Sequence, residues 1–241
     1  MHASKMKRVQ RSDKQCSGFY KFIRALALIL LFLGVASNGQ NPKNQHNFPL
    51  FLSTLGKQYG ARAQKRGGAW INTLNSLQTA SVEEQVEEIN KFFNIAITWS
   101  SDQRLYGRKD FWATPGETLG RGAGDCEDFT IAKYVSLKTL GIPSEQLRLT
   151  YVTLQVSENT TQAHMVLAWY PEPNAPPLIL DNVNPRILAA TARKDLTPVF
   201  SFNSDEIWLG NQDSPYGASP SARISQWRQL VARAESEGIA L

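Results

Sequence analysis

Two cysteines and three histidines are all that the 241 residues offer for thiol or imidazole chemistry, and that scarcity excludes more than the bulk composition does. Cys16 precedes the chain's long apolar run, so Cys126 is alone in everything that follows it. A lone cysteine cannot close an internal disulfide, and no second cysteine or nearby histidine supplies the ligand spacing of a zinc site. The glycine-rich stretch Gly120-Arg121-Gly122-Ala123-Gly124 lacks the Lys-Ser/Thr of a phosphate loop. It runs instead into Asp125-Cys126-Glu127, where negative charge repels phosphate. Internal repeats are absent. At 42% hydrophobic and 20% charged residues, the composition is that of an ordinary globular protein and not of a fibrous or disordered chain.

A nucleic-acid footprint is missing as well. The formal net charge is +5, but seven of the 26 basic residues and only one of the 21 acids fall in residues 1–37. The remainder carries 19 basic against 20 acidic side chains, with no surplus to neutralise a phosphate backbone. Residues 1–37 read from a basic stretch into the apolar run Ala25 to Ala36 and then into small and polar residues. That order is that of a secretory signal, and the run is short for a membrane span. Export is therefore expected, with an uncleaved anchor as the alternative because the exit lacks a clear Ala-x-Ala. Residues 38–47 are Asn/Gln-rich and read as a polar linker, in which His46 has no apolar framework and is not expected to be catalytic.

From residue 48 to 241 the pattern is that of a single α+β domain. Apolar spacing predicts helices from Phe48 to Tyr59, from about Arg66 to Leu77, and after the cap Ser81, where Val82, Val86, Ile89, Phe92 and Phe93 form one stripe. Glu83, Glu84, Glu87 and Glu88 on that third helix read as a solvated face, since no histidine or cysteine opposes them. Residues 95–99 and 102–112 read as extended or irregular, with Trp99, Tyr106 and Trp112 either walling a groove or packing in the core. The helix from Cys126 to Leu140 is apolar around most of its circumference, which predicts burial, and Gly141 and Pro143 end it. Strand signals follow at 147–156, 163–170 and 178–180, as an antiparallel meander packed on the cysteine helix, with further strands at 198–202 and 206–209. A terminal helix is expected at 221–237.

Cys126, His164 and Asp181 occur in the order nucleophile, base, orienter, at a helix start, in a strand and at a strand end. A thiol attacks as thiolate, needs an imidazole to take its proton, and that imidazole needs a carboxylate to fix its tautomer. Each role has essentially one occupant. Asp125, Glu127 and Asp128 oppose this chemistry, because three carboxylates around a thiol raise its pKa against the helix dipole. They read either as helix caps or as ligands for a hard divalent cation such as calcium. The Cys126 amide is one candidate oxyanion donor; Trp112 is a candidate for a second, as no glutamine closely precedes the cysteine.

With Gly-Asp-Cys-Glu-Asp at 124–128, Ala-His-Met-Val-Leu at 163–167 and Leu-Asp-Asn at 180–182, the chain resembles the bacterial transglutaminase-like cysteine proteinases from about residue 48 to its end. The resemblance implies a papain-like, transglutaminase-like fold and a Cys126–His164–Asp181 triad. It also implies calcium bound by Asp125 and Glu127, with Asp128. The implied activity is periplasmic endoproteolysis of the N-terminal region of a large repeat adhesin beside paired alanines, which releases biofilm cells. The implied inhibitor is an inner-membrane cyclic-di-GMP receptor of the LapD type. Acyl transfer to an amine and a non-enzymatic calcium-binding adaptor are the rival readings.

Overall fold

The computed structural model describes residues 46–173, 175–210, 214–217 and 219–241, so the expected leader and Cys16 lie outside the described residues, as does the linker up to residue 45. Three helices open the described chain. α1 (Phe48–Tyr59) begins where the Asn47 side chain accepts the Leu50 N–H at 3.0 Å, and Gly60, at φ +83°, turns the chain into α2 (Ala61–Ser76). α2 starts five residues earlier than the apolar pattern indicated, because Ala61, Arg62 and Ala63 are strong helix formers that follow directly on the Gly60 break. α3 (Val82–Ala96) is capped by Ser81 Oγ, which accepts the Glu84 N–H, and its glutamates face solvent as expected.

The stretch expected to be extended or irregular holds one short helix, and a second follows it before the cysteine. β1 (Thr98–Trp99) leads into α4 (Asp102–Tyr106), whose five residues are too few to show a period in sequence. α5 (Pro115–Arg121) is set by Pro115 and a capping box, Thr114 Oγ1 accepting the Glu117 N–H and Glu117 accepting the Thr114 N–H. The glycine-rich stretch is therefore not one turn. It is the end of α5, a left-handed cap at Gly122 (φ +67°), and then β2 (Ala123–Gly124), paired in parallel with β1.

α6 (Cys126–Thr139) is the buried centre, and Phe129, Ile131, Ala132, Tyr134, Val135 and Leu137 all lie in the main core. Two of its buried polar positions have partners: Ser136 Oγ accepts the Trp70 indole N–H at 2.8 Å, and the Thr130 hydroxyl sits 3.0 Å from the Met165 carbonyl. Leu140 and Gly141 (φ +95°) close the helix. The sheet comprises β3 (Leu147–Ser157), β4 (Thr160–Trp169), β5 (Leu178–Leu180), β6 (Leu188–Ala189), β7 (Leu196–Phe202) and β8 (Ile207–Leu209), in the order β6-β5-β4-β3-β7-β8. The first three form the expected meander, β6 adds to it from a segment not read as a strand, and β7 returns to the free edge of β3, so the sheet grows from both sides of one hairpin. Leu149, Met165, Leu167, Trp169 and Phe202 face the cysteine helix, and alternate residues Val152, Val166, Ala168 and Ile179 form a smaller cluster. This is the mixed helix and antiparallel-sheet architecture that the sequence indicated, with the cysteine helix against the sheet.

The terminal helix is broken at Ile224 into α7 (Pro220–Arg223) and α8 (Ser225–Ser236), and Trp227 of α8 packs edge-on against Phe202 and Tyr134. His46 proves to be held, contrary to its reading as part of a loose linker. Its ring stacks on Phe48, lies 2.7 Å from Thr139 Oγ1 and accepts the Ala240 N–H at 3.1 Å. Thr139 ends α6, so at 1.5 Å per residue His46 lies about 20 Å from Cys126.

Candidate active site

Cys126 is the first residue of α6, and Asp125 is its N-cap. The extended β1–β2 pair delivers it: the Thr98 N–H bonds to Gly122 O and the Ser100 N–H to Gly124 O, which fixes the chain two residues before the thiol. Gly124 has to be glycine, because a Cβ there would stand 2.7 Å from the Asp128 Cβ. Asp128 in turn is fully buried and accepts the Ala113 N–H at 2.8 Å and the Asp125 N–H at 3.2 Å, so it staples the preceding loop to the helix start.

His164 comes from the middle of β4 and Asp181 from the residue after β5. Adjacent antiparallel strands place them together: His164 Nε2 lies 2.8 Å from Asp181 Oδ1, and both side chains are buried. The Val183 N–H also donates to Oδ1, while the Arg193 guanidinium donates to Oδ2 at 2.9 Å. Burial would raise the Asp181 carboxyl, but the hydrogen bond and charge of His164, the Val183 amide and Arg193 outweigh it and hold it at about 2. Asp181 is thus an anion at any physiological pH, and the ring nitrogen it engages leaves Nδ1 for a second partner.

The thiol itself is turned elsewhere. Cys126 Sγ donates to Glu127 Oε2 at 3.0 Å, and no hydrogen bond joins it to His164 among the described residues. Burial first, then the charge and hydrogen bond of Glu127 and the charge of Asp125, push the Cys126 thiol far above its ordinary range. The carboxylates oppose the thiolate, as their position in sequence indicated, and the helix dipole does not overcome them.

Those carboxylates belong to a larger cluster. Ligand atoms of Asp102, Asp125 and Asp128 lie within 4.8 Å of one another, as do those of Asp102, Asp110 and Glu127, and those of Asp125, Cys126 and Glu127. Asp102 and Asp110 were not legible as part of the site, since α4 and the loop after it carry no motif. Among the described residues no lysine or arginine forms an ion pair with any of the five acids. Asp102 Oδ1 and Asp125 Oδ1 are buried without a hydrogen-bond partner. Burial, followed by neighbouring acids, raises Asp102 to about 6 and Asp125 to about 8, and lifts Asp128 well above the carboxylate range. Hard oxygen donors, uncompensated charge and orphaned buried acceptors together fit a divalent cation of the calcium type.

Of the aromatics weighed for a groove, Trp112 is core, stacked on Phe202 at 5.6 Å and beside Tyr151 at 6.1 Å. Trp99, paired in register with Gly124, is exposed.

A cysteine at the start of a buried helix, packed on a sheet that carries a His–Asp pair, is the arrangement of a papain-like or transglutaminase-like cysteine enzyme. The family model of the bacterial transglutaminase-like cysteine proteinases matches residues 61–196, and the chain belongs to that family. Among solved structures it is similar to LapG of Legionella pneumophila. An EGTA-treated form is 38% identical, with 79% of this chain covering 98% of that one at a TM-score of 0.68. A calcium-bound form is 40% identical over 76% of this chain and 96% of that one, at a TM-score of 0.65. No curated protein matches the sequence.

Proposed function

We propose that the protein is a calcium-dependent cysteine endopeptidase in which Cys126 is the nucleophile, His164 the general base and Asp181 the group that orients His164. The buried His164–Asp181 contact of 2.8 Å, reinforced by Arg193, carries the reading, since it supplies a base of fixed tautomer on the sheet against which the Cys126 helix packs. His164 takes the thiol proton, and the thiolate adds to the scissile carbonyl. The oxyanion is met by the Cys126 amide, free at the helix N-terminus. His164 then gives its proton to the departing amine, leaving a thioester on Cys126. Water, deprotonated by His164, cleaves that thioester to the carboxylic acid and returns the thiol.

Asp125, Glu127 and Asp128, with Asp102, would hold calcium. Bound there, the ion supplies positive charge that cancels the acids now raising the thiol, and it competes for the Glu127 carboxylate. The likeness to LapG supports calcium, one of the similar structures being calcium-bound and another EGTA-treated. On the family resemblance, the substrate is the N-terminal region of a large repeat adhesin, cut beside paired alanines to release biofilm cells. The setting is the periplasm, reached through the N-terminal signal. The inhibitory partner is an inner-membrane cyclic-di-GMP receptor of the LapD type. The test is incubation of purified protein with the N-terminal fragment of a co-encoded adhesin, with calcium or with EGTA. Cleavage in calcium alone supports the reading, whereas cleavage unaffected by EGTA refutes the calcium dependence. A labelled amine added to the same reaction identifies acyl transfer if labelled product appears without free acid.

A further inference from the structure

We propose that Arg193 is a positioning residue of this site: it pins the Asp181 carboxylate so that Oδ1 stays on His164, and it offsets the charge that Asp181 presents to the imidazole. The inference rests on the Cys126–His164–Asp181 reading. Asp181 divides its two oxygens cleanly, with Oδ1 taking His164 and the Val183 N–H and Oδ2 taking Arg193 Nη2 at 2.9 Å. A carboxylate tied at one oxygen can rotate away; tied at both, it cannot. Arg193 is itself 3% exposed and is held from behind by Asp195, whose Oδ1 accepts Nε at 2.9 Å and whose Oδ2 accepts Nη2 at 2.8 Å. Its backbone is closed on both sides, the Arg193 N–H bonding to Ala190 O and the Leu196 N–H to Arg193 O. The guanidinium is therefore presented by a fixed turn just after β6, the strand that pairs with β5 and so with the strand end bearing Asp181.

Three cationic or potentially cationic groups act on Asp181: His164 from β4, Arg193 from the turn, and Lys133 from α6, whose buried amine has no hydrogen-bond partner. Only Arg193 binds Asp181 by a directed bond without taking part in proton transfer. Removing it leaves His164 facing a stronger and less constrained anion, which holds the imidazolium more tightly and raises the pH needed to free the base.

The experiment compares wild type, Arg193→Met, Arg193→Lys and Asp195→Asn in calcium. It measures kcat and KM on the adhesin fragment from about pH 5 to about pH 9, and follows the His164 imidazole by NMR in a Cys126→Ala background. Arg193→Met should lose about tenfold or more in kcat with KM little changed, as for an outer partner of a functional ligand. Its acid limb and its His164 titration should both move to higher pH. Arg193→Lys should restore the position of the acid limb by restoring charge, while kcat stays reduced because a single ammonium cannot bond Asp181 and Asp195 in a fork. Should Arg193→Met not fold, the lysine and Asp195→Asn variants carry the test, the latter expected to lower kcat partially. Folded Arg193 variants with wild-type kcat and an unmoved His164 titration would overturn the proposal. If wild type itself cuts nothing, the protease reading fails, and the NMR titration alone decides what Arg193 does to His164.

Discussion

Removing divalent cation should make the protein's stability fall as pH rises, and replacing Asp102 by asparagine should flatten that fall. Asp102 is 2% exposed, and burial, then the charges of Asp125 and Asp110, raise it from 3.8 to about 6 against the Phe111 N–H that it accepts. A carboxyl whose folded pKa is raised binds its proton in the native state where the unfolded chain has lost it. Its contribution is thus fully present below 3.8 and is lost as pH climbs through about 6. Two pH units correspond to about 3 kcal/mol. Asp125, raised to about 8, carries the decline further, although the two acids share one repulsion and their losses do not add. Asp102→Asn keeps an acceptor for Phe111 and converts the orphaned Oδ1 position into a donor beside Asp125. Urea unfolding in EGTA, followed by tryptophan fluorescence, should show wild type losing about 3 kcal/mol or more between about pH 4 and about pH 8, a midpoint shift of about 1 M or more. The variant should lose clearly less, stand above wild type at the higher pH, and gain less from added calcium. A wild-type curve flat with pH in EGTA, or a variant weaker than wild type at about pH 8, would refute the reasoning.

Three further outcomes follow from buried groups outside the cluster. Glu237, raised to about 7 by burial despite the hydrogen bond to Thr114 Oγ1, is protonated in the native state between 4.5 and about 7. Its stabilisation fades over that window, so Glu237→Gln should be more stable than wild type at about pH 8 by up to about 3 kcal/mol and equal to it near pH 4 by denaturant titration. Lys133, held down to about 7 by burial against the attraction of Asp181, costs stability whenever it is charged in the fold, a cost that disappears as pH rises from about 7 to 10.5. Lys133→Met should therefore stabilise the protein at neutral pH by on the order of 4 kcal/mol, and a lower melting temperature would count against it. Gly120→Ala puts a Cβ 2.5 Å from the Tyr59 ring, and calorimetry should register a loss of about 1–3 kcal/mol as α5 is pushed off α1.

Long periodic elements were legible in sequence, as were the short strands at 178–180 and 206–209, but the short helices α4 and α5 were not. The Ser81-capped helix and the buried cysteine helix stand at the residues that their apolar spacing and caps specify, because a dozen or more residues supply several independent votes for one period. The five residues of α4 supply none, and Asp102 was lost with them. Asp125, Glu127 and Asp128 could be read because they flank Cys126. Their companions Asp102 and Asp110 arrive from α4 and the loop after it, a tertiary event without local spacing. Arg193 is legible only through its contacts: in sequence it is one basic residue among Arg-Lys-Asp. His46 shows the converse, a residue dismissed for lack of local framework whose framework is the far end of α6 and the C-terminal segment.

That Cys126 is the nucleophile operated by His164 and Asp181 is tested most directly by trapping the acyl-enzyme. Calcium-loaded protein is mixed with an activated peptide ester that ends in paired alanines, quenched in acid within the first turnover, digested and read by mass spectrometry. The peptide containing Cys126 should carry the acyl mass, accumulating in wild type, forming far more slowly in His164→Ala and Asp181→Ala, and absent in Cys126→Ala. Turnover of the same ester by Cys126→Ala at the wild-type rate, or an acyl mass on any other residue, would contradict the account.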